Sequence, residues 1–232
     1  MSDKIIIGLT GKSCSGKDEA ARILSERGWE IIDVDGLGHQ ALVQRKEELV
    51  RHFGERILDS KGTVDRRVLG EIVFADSSEL RALEAIVHPE MRQRVKDIIA
   101  SGSGPPKVAS DRGDASEGGG IDKNSGGRAS YDSFTGKRKI CINAALLFHM
   151  DLHRECDGVF LIAAPLVLRF IRAKKRDNLP ARHIIRRFAG QRALFPKYLR
   201  KDVDMYTVRN CGSRRRLKKR LEIKIAECCG QL

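Results

Sequence analysis

The chain has 232 residues, with 44 lysines and arginines against 31 aspartates and glutamates, a formal net charge of +13, and 41% hydrophobic residues. This length fits one domain of ordinary size that can bury a real core. No apolar run approaches the roughly 20 residues of a membrane span, and the N-terminus lacks the basic-then-apolar pattern of a signal peptide. We therefore expect neither a membrane protein nor a secreted protein, and we predict a cytoplasmic protein.

The positive charge is concentrated in the C-terminal part of the chain. Residues 1–100 carry a net charge of −2, residues 101–139 carry +2, and residues 140–232 carry +13. A basic surface usually binds an anion, and the count alone leaves nucleic acid, an acidic membrane and phosphate groups open. The six cysteines show no spacing typical of zinc ligands, so we expect reduced thiols.

The N-terminal part predicts a strand, a loop, a helix and a second strand. Residues 4–9 are a short apolar run of the kind found in buried parallel strands. Residues 18–26 have helical periodicity, which Gly28 ends, and residues 29–33 are the next strand candidate. This order within about 30 residues is the βαβ unit of a parallel sheet.

The middle of the chain divides into a helical region and a low-complexity segment. Residues 37–100 are mostly helical in pattern, with turns predicted at residues 59–62 and at His88–Pro89. Residues 101–139 hold nine of the 22 glycines and seven serines, with few large apolar side chains. Such a composition buries too little apolar surface to offset its ordering entropy, so we predict a disordered or mobile insertion.

The C-terminal part returns to alternating strands and helices. Residues 140–147 and 158–163 are buried-strand candidates, and a helix is expected to begin at Pro165. Residues 169–192 are predicted to be helical, with a break near residues 177–180. Residues 205–209 are predicted as a last strand, and Ser213 is predicted to cap a C-terminal helix. The whole pattern indicates an α/β fold.

A glycine-rich loop follows the first strand. Residues 11–17 match the pattern G-x-x-x-x-G-K between a buried strand and a helix, where glycines let backbone N–H groups turn toward phosphate oxygens. An ordinary glycine-rich turn is the alternative. The predicted nucleotide-binding residues of this loop are Gly11, Lys12, Ser13, Cys14, Ser15, Gly16, Lys17 and Asp18.

Asp18 departs from this pattern, which has Ser or Thr after the lysine as a Mg²⁺ ligand. A carboxylate is also a good ligand for Mg²⁺, so we predict Asp18 as the metal ligand. The Gly-Lys-Asp sequence resembles that of some phage deoxynucleotide kinases and animal phosphomevalonate kinases, and therefore does not exclude catalysis.

Two aspartates follow the second predicted strand. Ligands of open α/β sheets bind beyond the carboxyl ends of the strands, so Asp33 and Asp35 are expected to face the same crevice as the loop. One could accept a proton from a substrate hydroxyl while the other holds a metal-bound water or a ribose. A helix N-cap followed by a turn is the alternative.

Apart from the insertion, the chain resembles the dephospho-coenzyme A kinase family. The similarity lies in an ordered series of motifs, namely Ile7–Gly11 with Ser15–Lys17, Ile31–Asp35, Phe53–Phe74, Leu83–Pro89, Arg172–Gln191 and Val208–Ser213. The resemblance implies a P-loop kinase of the nucleoside-monophosphate-kinase type. It would be one domain with a central parallel sheet flanked by helices, a helical acceptor-side subdomain at about residues 37–100 and a basic helical lid at about residues 172–192.

The resemblance also implies a reaction, in which ATP phosphorylates the ribose 3′-hydroxyl of dephospho-coenzyme A in the last step of coenzyme A synthesis. Carried over by position, Asp35 is the general base, and Lys17 with the loop amides cradles the phosphates. The remaining implied assignments are lid arginines at Arg172 and Arg176, an acceptor-side histidine at His88, acceptor binding by Asp33, and nucleotide binding by Asn210. Without the resemblance, His88 would be read as a helix-capping or core histidine, and the two arginines as a solvated helix face.

Two positions depart from the family. Ala145 and His149 stand where the family has a proline and a glutamate. The change at His149 puts acceptor positioning in question. The insertion replaces a short connection, and we expect it to be a variable surface loop.

Two other functions remain open from the sequence. Another small-molecule kinase, of deoxynucleotide or phosphomevalonate type, shares the loop but does not explain His88–Pro89. A weakly catalytic P-loop protein could instead bind nucleic acid through the basic run Arg214–Arg220. No aromatic stacking platform accompanies that run, so nucleic acid is the less favoured partner.

Overall fold

The computed structural model describes residues 3–101, 136–177, 180–190 and 203–230. It confirms the predicted α/β class with a central parallel sheet flanked by helices. None of the helices among these residues combines the length and hydrophobicity that crossing a bilayer requires.

The sheet has five strands in the order β2-β3-β1-β4-β5. They are β1 (Lys4–Gly11), β2 (Glu30–Asp33), β3 (Arg138–Asn143), β4 (Gly158–Ala163) and β5 (Met205–Arg209). β1 pairs in parallel with both β3 and β4, and β4 pairs in parallel with β5. β1 is central and pairs with a strand on each edge. Its side chains Ile5, Ile7 and Leu9 are buried on one face of the sheet, and Ile6 on the other face is half-buried.

Eight α-helices are described. They are α1 (Lys17–Ser25), α2 (Val34–Gln44), α3 (Lys46–Phe53), α4 (Arg66–Ala75), α5 (Ser77–Ser101), α6 (Leu166–Asp177), α7 (Ala181–Gly190) and α8 (Arg214–Cys229). Two short 3-10 helices occupy Glu55–Ile57 and Leu152–Glu155. α6 ends at Asp177 and α7 begins at Ala181, and residues 178–179 of the predicted break lie outside the described residues. The last strand and the C-terminal helix are confirmed.

The chain divides into two compact units. The first contains residues 1–32 and 102–232, and the second contains residues 33–101. In the first unit the sheet packs with α1 and α8 around a core that includes Ile7, Leu24 and Phe160. The predicted nucleotide-binding loop belongs to this unit.

The second unit consists of α2 to α5, with the long α5 packed against the other three helices. The turn predicted at residues 59–62 is confirmed, because the Asp59 carboxylate accepts hydrogen bonds from the N–H groups of Lys61 and Thr63. The turn predicted at His88–Pro89 is wrong, because Pro89 lies inside α5. Val87 and Met91 are buried on either side of the proline, and this packing outweighs the local cost of a proline in a helix.

Several predicted boundaries are also corrected. The strand expected over residues 140–147 begins at Arg138, within the predicted insertion, and ends at Asn143. Ser213 holds the N-cap position of α8, but its side chain makes no capping hydrogen bond. The insertion from residue 102 to 135 and the lid residues 178–179 and 191–192 lie outside the described residues.

Candidate nucleotide-binding site

Two glycines give the loop between β1 and α1 its shape. A side chain at Gly11 would place its Cβ 2.5 Å from the Ser15 Oγ and 2.7 Å from the Ile162 carbonyl oxygen, so only glycine fits. Gly16 has φ 93°, a left-handed conformation that favours glycine, and its Cβ would overlap the Asn210 side chain. The loop therefore depends on glycine at both ends of the predicted motif.

The loop lysine is held by a residue that the sequence did not single out. Lys17 is buried, and its Nζ donates a hydrogen bond of 2.8 Å to the Oδ1 of Asn143 at the end of β3. Register explains this pairing, since β3 lies beside β1 and its last residue reaches the level of the loop. A polar residue ending a buried strand was the available signal, but assigning it to Lys17 required the strand order.

Two further groups lie in the same loop. The Oδ1 of Asp18 is 3.4 Å from the Nζ of Lys17, and the Asp18 side chain is 60% exposed. The Ser15 hydroxyl is buried and has no hydrogen-bond partner in the described part of the chain. The Ser15 hydroxyl oxygen has almost no accessible surface and lies against Gly11, whereas the exposed Asp18 carboxylate is accessible and has the chemistry of a Mg²⁺ ligand.

Side chains from outside the loop hold three consecutive loop carbonyls. The Nε of Arg169 donates 2.8 Å to the Ser13 oxygen, and the Nδ2 of Asn210 donates 2.8 Å to the Ser15 oxygen. Arg172 adds Nη1 contacts of 3.4 Å to Cys14 and 3.2 Å to Ser15. In a trans peptide the C=O and the following N–H point in opposite directions, so these bonds orient the N–H groups of Cys14 and Gly16 away from the donors.

The sequence predicted Arg172 and Asn210 at this site, and the structure brings both to the loop. The Nη2 of Arg172 also donates a hydrogen bond of 3.4 Å to the backbone carbonyl oxygen of Asn210. Arg176, the second predicted lid arginine, is exposed one turn further along α6. Sequence reasoning assigned Arg169 no role, because an arginine in a strongly basic helix carries no distinguishing signal.

An apolar cluster lies under the loop at α6 and α7. Ala173, Ile184 and Phe188 are buried together, and Cys14 packs against them. The guanidinium carbon of Arg169 lies 4.4 Å from the centre of the Phe188 ring, within the range of a cation–π contact. Burial lowers the pKa of Arg169, and the nearby Cys14 opposes this shift.

Three predicted acceptor-side residues belong to the second unit. Asp33 holds the N-cap position of α2, but its side chain makes no capping hydrogen bond, and Asp35 lies in the first turn. Both are exposed. His88 is half-buried in the middle of α5, so the helix-capping interpretation of this residue is wrong. Their roles toward an acceptor stay predictions.

The two departures from the family pattern follow β3. The Thr10 hydroxyl donates a hydrogen bond of 3.3 Å to the Ala145 carbonyl, and His149 is exposed in the following turn. Among residues 3–101, 136–177, 180–190 and 203–230, no group of three or more histidine, cysteine, aspartate or glutamate side chains could hold a metal by itself. A protein-only metal cage is therefore not formed by these residues.

The glycine-rich loop lies between the central strand and the next helix and contains a buried lysine, which is the arrangement of P-loop nucleotide-binding proteins. A family model described as Dephospho-CoA kinase matches residues 5–108. The dephospho-CoA kinase of a Synechococcus species (strain JA-2-3B'a(2-13)) is 32% identical over 205 residues, covering 85% of this chain and 83% of the relative. The chain belongs to the dephospho-CoA kinase family.

Two other relatives match a larger and a smaller share of this chain. The Treponema denticola dephospho-CoA kinase is 29% identical over 228 residues, covering 95% of this chain and 88% of the relative. The Borreliella burgdorferi dephospho-CoA kinase is 34% identical over 161 residues, or 69% of this chain, and the match spans 62% of that relative.

Solved structures show the same fold. A crystal structure of a Thermus thermophilus protein superposes with a TM-score of 0.68 at 29% identity, covering 97% of both chains. The dephospho-CoA kinase from Campylobacter jejuni gives a TM-score of 0.60 at 19% identity over the full length of both chains. At that identity the second likeness supports the fold alone.

Proposed function

We propose that this chain transfers the γ-phosphoryl group of ATP to the ribose 3′-hydroxyl of dephospho-CoA, giving coenzyme A and ADP. The observation that carries the proposal is the geometry of the loop. Lys17 is oriented by Asn143, and the Ser13 and Ser15 carbonyls bond to side chains outside the loop, which directs the following N–H groups to the opposite side. Family membership supplies the acceptor. The six cysteines are all free, which supports a reducing compartment such as the cytoplasm as the site of action.

The donor half of the reaction rests on the first unit. The loop N–H groups, the Lys17 ammonium and the partial positive charge at the N-terminus of α1 bind the ATP phosphates. Asp18 would hold Mg²⁺ through its exposed carboxylate. A Mg²⁺ ion held there would offset part of the negative charge that develops during transfer. The oxygen of Asn143 keeps the Lys17 side chain extended toward the phosphates.

The acceptor half rests on the carboxylates that follow β2. Asp35 accepts the proton of the 3′-hydroxyl as that oxygen bonds to the γ-phosphorus, while the bond to the β–γ bridging oxygen breaks and ADP leaves. Asp33 and His88 bind the acceptor. Arg172 and Arg176 stabilise the transferring group, Arg172 from its position beside the loop.

A coupled assay of ADP release with dephospho-CoA, deoxynucleotides and phosphomevalonate as separate acceptors tests this proposal. We expect turnover with dephospho-CoA alone, and a product that carries one additional phosphate by mass spectrometry. The Lys17→Met variant, purified identically, controls for contaminating kinases and is expected to be inactive. Turnover of a deoxynucleotide or phosphomevalonate in place of dephospho-CoA would contradict the proposed acceptor. Salt-sensitive retention of RNA with no turnover of any acceptor would favour nucleic-acid binding.

A further inference from the structure

Arg169 is an arginine that the proposed reaction does not use. It lies in α6 and is only 5% exposed, although the helix around it is strongly basic and largely solvated. Its Nε donates to the Ser13 carbonyl, and its guanidinium stacks on Phe188 of α7. Burying a guanidinium is costly, so its contacts have to compensate for the lost hydration.

We propose that Arg169 is a positioning residue that fixes the ATP-binding conformation of the phosphate loop and ties that conformation to the packing of α7 through Phe188. The proposal rests on the proposed function, because it assumes that the loop binds ATP. Arg169 itself touches no substrate and acts through the Ser13–Cys14 peptide.

The backbone of the loop shows why an external donor is needed. Cys14 has φ 60°, a left-handed conformation that is strained for a non-glycine residue. The bond from Arg169 to the Ser13 oxygen fixes the preceding peptide, and therefore directs the Cys14 N–H to the opposite side. Without this donor the Ser13 carbonyl loses the hydrogen bond that orients the Ser13–Cys14 peptide, and the Cys14 N–H is less preorganised for a phosphate.

The contact with Phe188 joins this peptide to the next helix. Phe188 is buried with Ile184 and Ala173, and Cys14 packs against the same cluster. Arg169 therefore has an apolar surface on one side of its guanidinium plane and a loop carbonyl at its edge. This arrangement uses the planarity of arginine, which lysine lacks.

The first test compares Arg169→Met and Arg169→Lys with Lys174→Met, which removes the same charge from an exposed position on the same helix. The readouts are ATP affinity by calorimetry, KM for each substrate, kcat and thermal stability. We expect both Arg169 variants to weaken ATP binding about tenfold, as for loss of a charge-assisted hydrogen bond. KM for dephospho-CoA should stay unchanged, and Lys174→Met should bind ATP normally.

Phe188→Leu and the double variant Arg169→Met/Phe188→Leu test the connection to α7. If the two side chains act through one contact, the double variant binds ATP no more weakly than Arg169→Met alone. Fully additive losses would overturn the connection to α7. Unchanged ATP affinity in Arg169→Lys, the variant that best preserves folding, would overturn the positioning role.

These outcomes differ from a failure of the proposed function. If the unmodified chain binds no ATP, the proposed function fails and the inference fails with it. If the unmodified chain binds ATP and phosphorylates dephospho-CoA while the Arg169 variants behave like Lys174→Met, the inference alone fails.

Discussion

Lys17 illustrates how a single residue in this chain acquires its role. Its ammonium is buried and donates a hydrogen bond to the amide oxygen of Asn143, and the exposed Asp18 carboxylate lies 3.4 Å away. The neutral amide orients the lysine without adding negative charge. The Asp18 carboxylate is 60% exposed, so water screens its attraction to the ammonium.

The Asp35→Asn variant tests the proposed general base. We expect kcat to fall by about 10² to 10⁴, the usual contribution of a positioned base, because an amide accepts no proton from the 3′-hydroxyl. ATP affinity should stay normal, since the phosphate loop is unchanged. Steady-state kinetics with calorimetric ATP titration measures both, and near-normal turnover would show that another group is the base.

The Asp18→Ser variant tests the proposed metal ligand. Serine restores the residue type that this position has in most phosphate loops, so we expect retained or higher Mg²⁺-dependent activity. The apparent Mg²⁺ affinity, read from a magnesium titration at fixed ATP, should shift because a carboxylate is replaced by a hydroxyl. Complete loss of activity would instead make the aspartate a required ligand.

At the scale of elements, a buried ion pair joins β2 to β3. Arg138 donates to the Oε2 of Glu30 from both Nε and Nη2, at 2.9 Å and 2.6 Å, and the two side chains are 5% and 10% exposed. The other oxygen of Glu30 is buried without a hydrogen-bond partner among the described residues. The pair therefore fixes β2, the strand that leads to Asp33 and Asp35, at the cost of two desolvated charges.

Removing one partner of this pair should destabilise the chain more than removing both. Arg138→Met leaves Glu30 buried and unpaired, and we expect a loss of about 3 to 5 kcal/mol in unfolding free energy. The double variant Glu30→Met/Arg138→Met should recover much of this loss. Urea unfolding of the unmodified chain, Arg138→Met and the double variant measures the three unfolding free energies. A double variant less stable than Arg138→Met would contradict this expectation.

At the scale of the whole molecule, the C-terminal half carries the entire excess of positive charge. Part of it is paired inside the first unit, since Arg214 contacts Glu19 and Glu26 of the α1 region at 2.5 Å each. These bonds raise the pKa of Arg214 and lower that of Glu26. The first residue of the basic run is thus engaged by carboxylates of the same chain.

The remaining positive field should attract polyanionic substrates. Raising the ionic strength from about 0.1 to 1 M shortens the Debye length from about 10 to 3 Å, so we expect KM for ATP and for dephospho-CoA to rise while kcat changes little. Initial rates across a salt series measure this. Salt-independent KM values would show that the basic half does not steer these ligands.

Local sequence patterns predicted much of the fold. The β1–loop–α1 segment and the last strand and helix have strong periodicity or glycine signals, and they appear where expected. At His88–Pro89, burial of the flanking Val87 and Met91, rather than local propensity, decided the backbone conformation. β3 ends at Asn143, and the exposed Ala145 follows it.

The sequence by itself determined the phosphate loop, because its glycines and lysine are needed by the loop's own backbone and therefore lie within a few residues of one another. Only the tertiary structure decided which side chains hold that loop. Asn143 and Arg169 are more than a hundred residues away in the chain, and they reach the loop through the order of strands β3, β1 and β4 and the packing of α6. A hydrogen bond depends on distance in space, and sequence patterns record only distance along the chain.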